Sequence, residues 1–283
     1  MNRKYAWILF LLPSLLGVTV FCLLPFLDVV RRSFLTAVTG EWNGVGNYLA
    51  VFQNQAFQLA VKNTVRFTLV CLPLLIGTGL FLAVQISKFR QGQWLKSLFL
   101  FPMAIPAAAV VLVWKMVFSE GGFLNGALSM LHMLPEGGGI DFMGTGAAFW
   151  VLVFSYLWKN LGYTVVLWLA GILAVPREML EAARLDGAGE RQCFWKVLFP
   201  NLKGMLYTIT VLSFLNSFKV FREAYLVAGS YPHESMYLLQ HLFNNWFVNL
   251  DLDKMAAAAV CTGCVLLSVI LLLGKIWDPD PGR

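Results

Sequence analysis

Long apolar stretches alternate with short polar ones along this chain, and the apolar stretches have the length of a bilayer crossing rather than of a strand. Six of them stand out: Ala6–Leu27, about Phe67–Ser87, Leu98–Phe118 with breaks at Pro102 and Pro106, about Ala147–Val175, Gly204–Ala228 and Met255–Gly274. An α-helix needs about 20 residues to cross the hydrocarbon core. None of the six alternates apolar and polar residues as a barrel strand would, and a backbone in lipid must bond within its own segment. The pattern predicts an all-α, polytopic membrane protein of six transmembrane helices. The first run follows Arg3 and Lys4, as the core of a signal peptide would. It is too long for such a core and no small-x-small cleavage site follows it, so it is read as a retained helix. Thr-Val-Phe before Cys22 is likewise a poor lipoprotein site. The expected organisation is an N-terminal helix with an external amphipathic segment over residues 1–66, then a five-helix core over 67–283.

Composition supports this reading: 59% of the 283 residues are hydrophobic and 13% are charged, about half the charged share of a soluble domain. Loop charges set the orientation, because Lys and Arg accumulate on the cytoplasmic side. With the N-terminus inside, that side holds Arg3, Lys4, Lys88, Arg90, Lys96, Arg177, Arg184, Arg191, Lys196, Lys203, Lys275 and Arg283. The outer side holds Arg31, Arg32, Lys62, Arg66 and Lys254, giving 12 against 5. Both termini and the polar segment 176–203 are therefore expected in the cytosol, and the net charge of +6 reflects topology without any need for nucleic-acid binding. Cys261 and Cys264 form a CxxC inside the sixth run, where helix packing is the simpler role. The three histidines lack metal-ligand spacing, and no metal site is expected.

Between the fourth and fifth runs lies EAARLDGAGERQCFWKVLFPNL, much longer than a tether between helices requires. Pro176 suits a helix start, Arg177–Asp186 contains good helix formers, and Arg177–Glu181 and Glu181–Arg184 have the spacing of intrahelical pairs. Gly187, Ala188 and Gly189 stop or turn the chain, and a second short helix over Glu190–Phe199 is expected to end at Pro200. The product is a helix–turn–helix projecting into the cytosol. Physics alone leaves open a solvated loop resting on headgroups.

The segment resembles the EAA loop of bacterial ABC-importer permeases. Glu181-Ala182-Ala183 is followed by Asp186-Gly187-Ala188 and then Phe199-Pro200, and Asp-Gly-Ala at that place resembles the carbohydrate branch. LLPSLLGVTVFCLLPFLDVVRRSF, VGNYLAVFQNQAFQLAVKNT and LWKNLGYTVVLWLAGILAVPREMLEAARLDGA resemble the maltose and glycerol-3-phosphate permeases, specifically the larger or first of their two subunits. Leu185 replaces a frequent Ile, and Phe-Pro replaces Leu-Pro, both conservatively. The resemblance implies a type I importer permease in a bacterial cytoplasmic membrane. It also implies a homologous second permease, a dimer of ATP-binding subunits, an extracytoplasmic solute-binding protein and a carbohydrate substrate. Glu181, Ala182, Ala183, Asp186, Gly187 and Ala188 would couple to the ATPase. No cofactor is implied on this chain: ATP and Mg would sit on the partner, in keeping with the lack of a GxxxxGK[ST] loop.

Polar groups inside spans usually face a cavity or a partner. Ser213, Asn216, Ser217 and Val220 fall on one helical face. Counted from Gly204, the three polar ones lie about 14 to 20 Å along the fifth helix. By the resemblance they match positions lining the sugar site, with Ser213 conforming and the other three differing. Interhelical hydrogen bonding is the alternative role for them. The resemblance also places binding residues around Leu161 and Gly162, and Tyr163 is suited to stack on a sugar ring. Lys159 requires a partner at its depth, with Glu223 available to it or to Lys219, and Arg222 adds further positive charge. A structural ion pair and an anionic substrate group are both compatible with that set. A membrane-embedded enzyme finds no GxSxG, HExxH or paired intramembrane aspartates, and a stand-alone transporter or channel would give the 176–203 segment no purpose.

Overall fold

The computed structural model describes residues 6–88, 93–134 and 138–277. The basic residues Arg3, Lys4, Arg90 and Arg283 used in the orientation argument lie outside the described residues. Among those described there is no β-strand, only an isolated bridge between Leu35 and Trp42. Six helical stretches are long and apolar enough to cross a membrane: Leu11–Arg32, Gln55–Ser87, Ala107–Met130, Ala148–Ala174, Lys203–Ala228 and Leu252–Ile276. In chain order the helices are α1 (Ala6–Val18), α2 (Leu24–Arg32), α3 (Gly46–Gln53), α4 (Gln55–Ser87), α5 (Gln93–Ala104), α6 (Ala107–Phe118), α7 (Phe123–Met130) and α8 (Ala148–Ala174). They continue with α9 (Arg177–Leu185), α10 (Glu190–Gln192), α11 (Phe199–Asn201), α12 (Lys203–Ser217), α13 (Phe221–Ala228), α14 (Leu239–Val248) and α15 (Leu252–Trp277).

Proline positions explain where these helices deform. Pro106 caps α6 in an extended conformation and separates it from α5, while Pro102 is carried inside α5. The third apolar stretch is therefore restarted at Ala107, and of the two expected breaks only Pro106 interrupts the helix. Two π-helical turns, Thr19–Leu23 and Cys193–Leu198, each end directly before a Leu-Pro or Phe-Pro step. Proline has no N–H to give to the carbonyl four residues back, and a widened turn shifts the bonds to i−5: Leu24 N–H bonds Thr19 O, and Phe199 N–H bonds Phe194 O. Helix therefore continues through Pro200 to Asn201 and does not end there, correcting the expectation from sequence.

The contacts divide the chain into two compact units. Among the described residues, the first takes 6–58 and 242–268 and the second 59–241 and 269–277, with the division inside α4. In the first unit, the Asn47 amide donates to the carbonyls of Ser33 (3.0 Å) and Leu35 (2.8 Å), and Phe34 stacks on Trp42. The Ala37 N–H donates to Asp253, and Phe57 stacks on Trp246. The stretch Leu11–Arg32 has none of its most apolar window buried.

In the second unit α8 is the centre. Buried residues occur all around it, from Ala148 and Phe149 at one end to Trp168 and Leu169 at the other. At one end it packs with Phe67, Cys71 and Leu75 of α4, Val220, and Ala224 of α13. Nearer its other end it packs with Ala83 and Ile86 of α4, Ile209 of α12, and Leu198 and Leu202. Side chains cannot fit between helices that approach this closely, so small residues mark the contacts. Gly162 lies under α5, where a Cβ would overlap the Phe99 carbonyl oxygen, and Gly79 of α4 faces Thr164. The polar start of α4, missed when the second span was begun at Phe67, secures a loop. The Asn63 amide donates to the carbonyls of Glu234 (2.6 Å) and Tyr237 (3.0 Å), and Leu239 N–H donates to Thr64.

Gly162→Val is expected to force α5 from α8. Overpacking costs about 1–3 kcal/mol in a well-packed core, and here the obstacle is backbone that cannot rotate away. Thermal unfolding of the purified protein in detergent should shift downward by several degrees, and an unchanged midpoint would contradict this packing role.

Candidate functional site

Two features of the second unit carry chemistry: a polar cleft beside α8, and the exposed segment between α8 and α12. The cleft follows from the spacing of Ser155, Tyr156, Lys159 and Asn160, which places all four on one side of α8. Opposite them stand Asn216, Lys219, Val220 and Glu223, with Met103 of α5 at the border. Between these residues is a small, open-sided cleft of about 120 Å³.

The opposing wall is a broken helix. α12 stops at Ser217, residues Phe218–Val220 form a 3-10 turn, and α13 resumes at Phe221. Backbone groups disturbed in lipid need other partners, and hydroxyls supply them. Tyr156 Oη donates to the Ser213 carbonyl at 2.6 Å, and Ser217 Oγ donates to the Phe214 carbonyl at 2.6 Å. Tyr163 Oη and Ser213 Oγ share a 2.8 Å hydrogen bond from α8 to α12. The Asn160 amide donates to the Tyr156 carbonyl, and Trp114 Nε1 donates to Ser155 Oγ at 2.8 Å.

Charge in the cleft is partly balanced. Lys159 Nζ forms an ion pair with Glu223 Oε1 between α8 and α13, and the Glu223 side chain is 6% exposed. Of the two roles open for Lys159, the geometry realises the ion pair. Lys219 has no ion pair or side-chain hydrogen bond with any described residue, and Arg222 is exposed outside the cleft lining.

The seven residues expected at a substrate site therefore separate. Asn216 and Val220 line the cleft. Ser213 is fully buried with its hydroxyl engaged by Tyr163, and the Ser217 hydroxyl is turned back on its own helix. Leu161 packs among the apolar side chains around α8, and Gly162 lies under α5. Sequence reasoning missed Ser155, Tyr156 and Asn160 as lining residues. Their signal was present: with Lys159, they make one polar stripe within an otherwise apolar run.

The segment after α8 is rooted and exposed at once. Leu180, Phe194, Leu198 and Leu202 pack into the core near Trp168, while Glu181, Ala182, Asp186 and Gly187 are exposed and Ala183 and Ala188 half-buried. α9 ends in a Schellman turn: Ala188 N–H bonds Ala183 O at 2.9 Å and Gly187 N–H bonds Arg184 O at 3.0 Å. Gly187 has φ +84°, and nothing lies within 4 Å of where its Cβ would be. The glycine is thus required by backbone conformation. Arg184 pairs with Glu190 across this turn at 3.1 Å, in place of the Glu181 partner expected from spacing. At the tip Leu185 is 89% exposed, an apolar knob.

Membrane-length helices, a polar cleft beside one of them and a folded, exposed element in one loop are the features of a membrane permease. Residues 75–279 match the binding-protein-dependent transport system inner membrane components, and the chain belongs to this family. It is a multi-pass inner-membrane protein, a permease subunit of such a transport system. It is 30% identical to the arabinooligosaccharides transport system permease protein AraP of Bacillus subtilis, over 97% of this chain and 88% of that protein. Similarity extends to the trehalose/maltose transport system permease protein MalF of Thermococcus litoralis, 28% identical over 95% of this chain and 92% of that one. The sn-glycerol-3-phosphate transport system permease protein UgpA of Brucella abortus is 26% identical over 93% and 90%. A bacterial ABC transporter involved in the import of the acidic polysaccharide alginate gives a structural match of TM-score 0.84 at 19% identity, covering 99% of this chain and 98% of that chain. That likeness establishes the ABC-importer permease fold.

The Lys159–Glu223 pair leads to a direct test. Breaking a buried pair by removing one charge costs about 3–5 kcal/mol, because the other is left uncompensated. Glu223→Gln should lower the yield of folded, detergent-extracted protein, and the double variant Lys159→Met, Glu223→Gln should recover part of it. Equal yields for wild type and Glu223→Gln would show that the pair holds nothing together.

Proposed function

We propose that this permease subunit imports a carbohydrate or related polyol, as one half of a heterodimer with a homologous permease. ATP and Mg bind to a pair of ATPase subunits on the cytosolic side, and no cofactor resides on this chain. An extracytoplasmic solute-binding protein delivers the substrate. The observation that carries this reading is the exposed turn at 181–188, fixed by a Schellman bond pattern and rooted in the core beside α8. A rigid lever is what a chain needs if its conformational work is done by another protein. Named relatives that transport arabinooligosaccharides, trehalose or maltose, and sn-glycerol-3-phosphate support the substrate class.

In this reading the N- and C-termini and residues 176–203 face the cytosol, as the Lys and Arg distribution favours. Glu181, Ala182, Ala183, Asp186, Gly187 and Ala188 form the surface that docks to the ATPase, with Leu185 filling a hollow on it. The region between α8 and α12–α13 is the solute path. Asn216 and Val220 line it directly, Tyr163 and Ser213 hold α8 to α12, Ser217 caps the break, and Leu161 and Gly162 set how close α5 stands. A polar cleft at a discontinuous helix near mid-membrane is where alternating-access carriers place their sites. One chain with one docking element supplies half of a symmetric drive and one wall of the path, which is the reason for a second permease.

Gly187→Val tests the coupling role. A β-branched residue in the left-handed region costs about 1–2 kcal/mol, enough to redirect the turn without unfolding the membrane helices. ATP-driven uptake in vesicles should be lost while membrane insertion stays normal, and Gly187→Asn, which tolerates that conformation, should retain uptake. Normal uptake by Gly187→Val would refute the reading. Cysteines introduced at 181–188 should react with impermeant reagents only from the cytosolic side.

A further inference from the structure

The charges in the cleft beside α8 do not cancel, and we infer that the solute carried through it bears an acidic group, a carboxylate or a phosphate, received by Lys219 and Asn216. The inference rests on the reading of this cleft as the solute path. Two ammonium groups, Lys159 and Lys219, and one carboxylate, Glu223, line the space. Glu223 is committed: it is buried and paired with Lys159. Lys219 is left with no carboxylate partner among the described residues.

Its position makes that charge expensive. Lys219 is 9 residues from the end of the Lys203–Ala228 stretch, about 13 Å at 1.5 Å per residue. That is further than a lysine side chain extends, and Lys219 is exposed and not packed in the core, so its ammonium is open to whatever occupies the cleft. Ionisable groups at such depth face a water-filled path and mark what passes along it. A neutral sugar offers hydroxyls, which the amides of Asn160 and Asn216 can satisfy, but it gives a cation no counter-charge. An acid group does.

Asn216 stands one helical turn before Lys219 and makes no side-chain hydrogen bond with a described residue. Its N–H groups and the ammonium can converge on one anionic oxygen pair. Asn160 has its amide N–H on the Tyr156 carbonyl, which leaves its oxygen to accept from a sugar hydroxyl. Glu223 has a second part in this arrangement. By neutralising Lys159 it limits the cleft to one excess charge, so that an anion is attracted without being trapped, as release on each cycle demands. The set thus selects a singly acidic sugar or polyol derivative.

The test has two arms. The first is native mass spectrometry of the cognate solute-binding protein purified with its ligand. A sugar acid or a sugar or polyol phosphate is expected, and the mass tells which. A neutral sugar overturns this inference and leaves the importer reading intact, whereas a ligand that is no carbohydrate or polyol overturns both. The second arm is uptake by the assembled transporter in proteoliposomes, using the ligand so identified. A charge-assisted contact is worth about tenfold or more in affinity, so Lys219→Gln should raise KM about tenfold with an unchanged yield of assembled complex. Lys219→Arg should stay close to wild type, as should Lys115→Gln, which alters a lysine outside the cleft. If Lys219→Gln transports with an unchanged KM, or fails to assemble, Lys219 has no part in receiving an anion.

Discussion

Among the described residues most buried polar groups find a partner inside the protein, with Gln240, His241 and Asn244 each keeping one buried side-chain atom unpaired, and that requirement organises the structure more than any single packed surface. In water an unpaired carbonyl or ammonium is merely solvated. In hydrocarbon an unsatisfied group costs several kcal/mol. The response is visible around α8, where Tyr156 donates to the Ser213 carbonyl, Trp114 to Ser155, and Lys159 meets Glu223. These three contacts tie α8 to α12, α6 and α13, and their polar ends gather around one cleft. Satisfaction of polar groups and construction of the proposed solute path are thus one problem with one solution.

The same requirement disciplines the backbone. Pro25 and Pro200 each remove a donor, and the chain answers with a π turn immediately upstream, so that the helix continues with displaced bonds. Near the cleft the helix is broken outright at Phe218–Val220, and side-chain hydroxyls take over the exposed carbonyls.

Much of this was legible in the residues. Six apolar runs gave the class of fold, because hydrophobic length is a property of composition alone. The turn at Gly187 was legible too, since glycine after a helix-forming stretch has a specific conformational meaning, and the structure gives it φ +84°. What could not be read was the assignment of polar residues to partners. Ser213, Asn216 and Ser217 share one face by period, yet only Asn216 opens to the cleft. The reason is that the helix ends at Ser217 and that Tyr163 reaches across to Ser213. Gly162 carried a signal for close approach, but sequence cannot say whether a ligand or another backbone approaches; here it is Phe99. Likewise α9 has the spacing for Glu181 pairs, whereas Arg184 turns instead to Glu190, a residue brought near by the turn itself.

The central claim is that the turn between α9 and α10 is the place where hydrolysis on another protein is transmitted to these helices. Leu185, 89% exposed at its tip, is the residue to interrogate. With Leu185→Cys in the assembled transporter, a short thiol cross-linker should join this chain to one ATPase subunit, with the yield changing between nucleotide-free and ATP-bound states. Failure to form that product, while cysteines elsewhere on the same face do, would contradict the account.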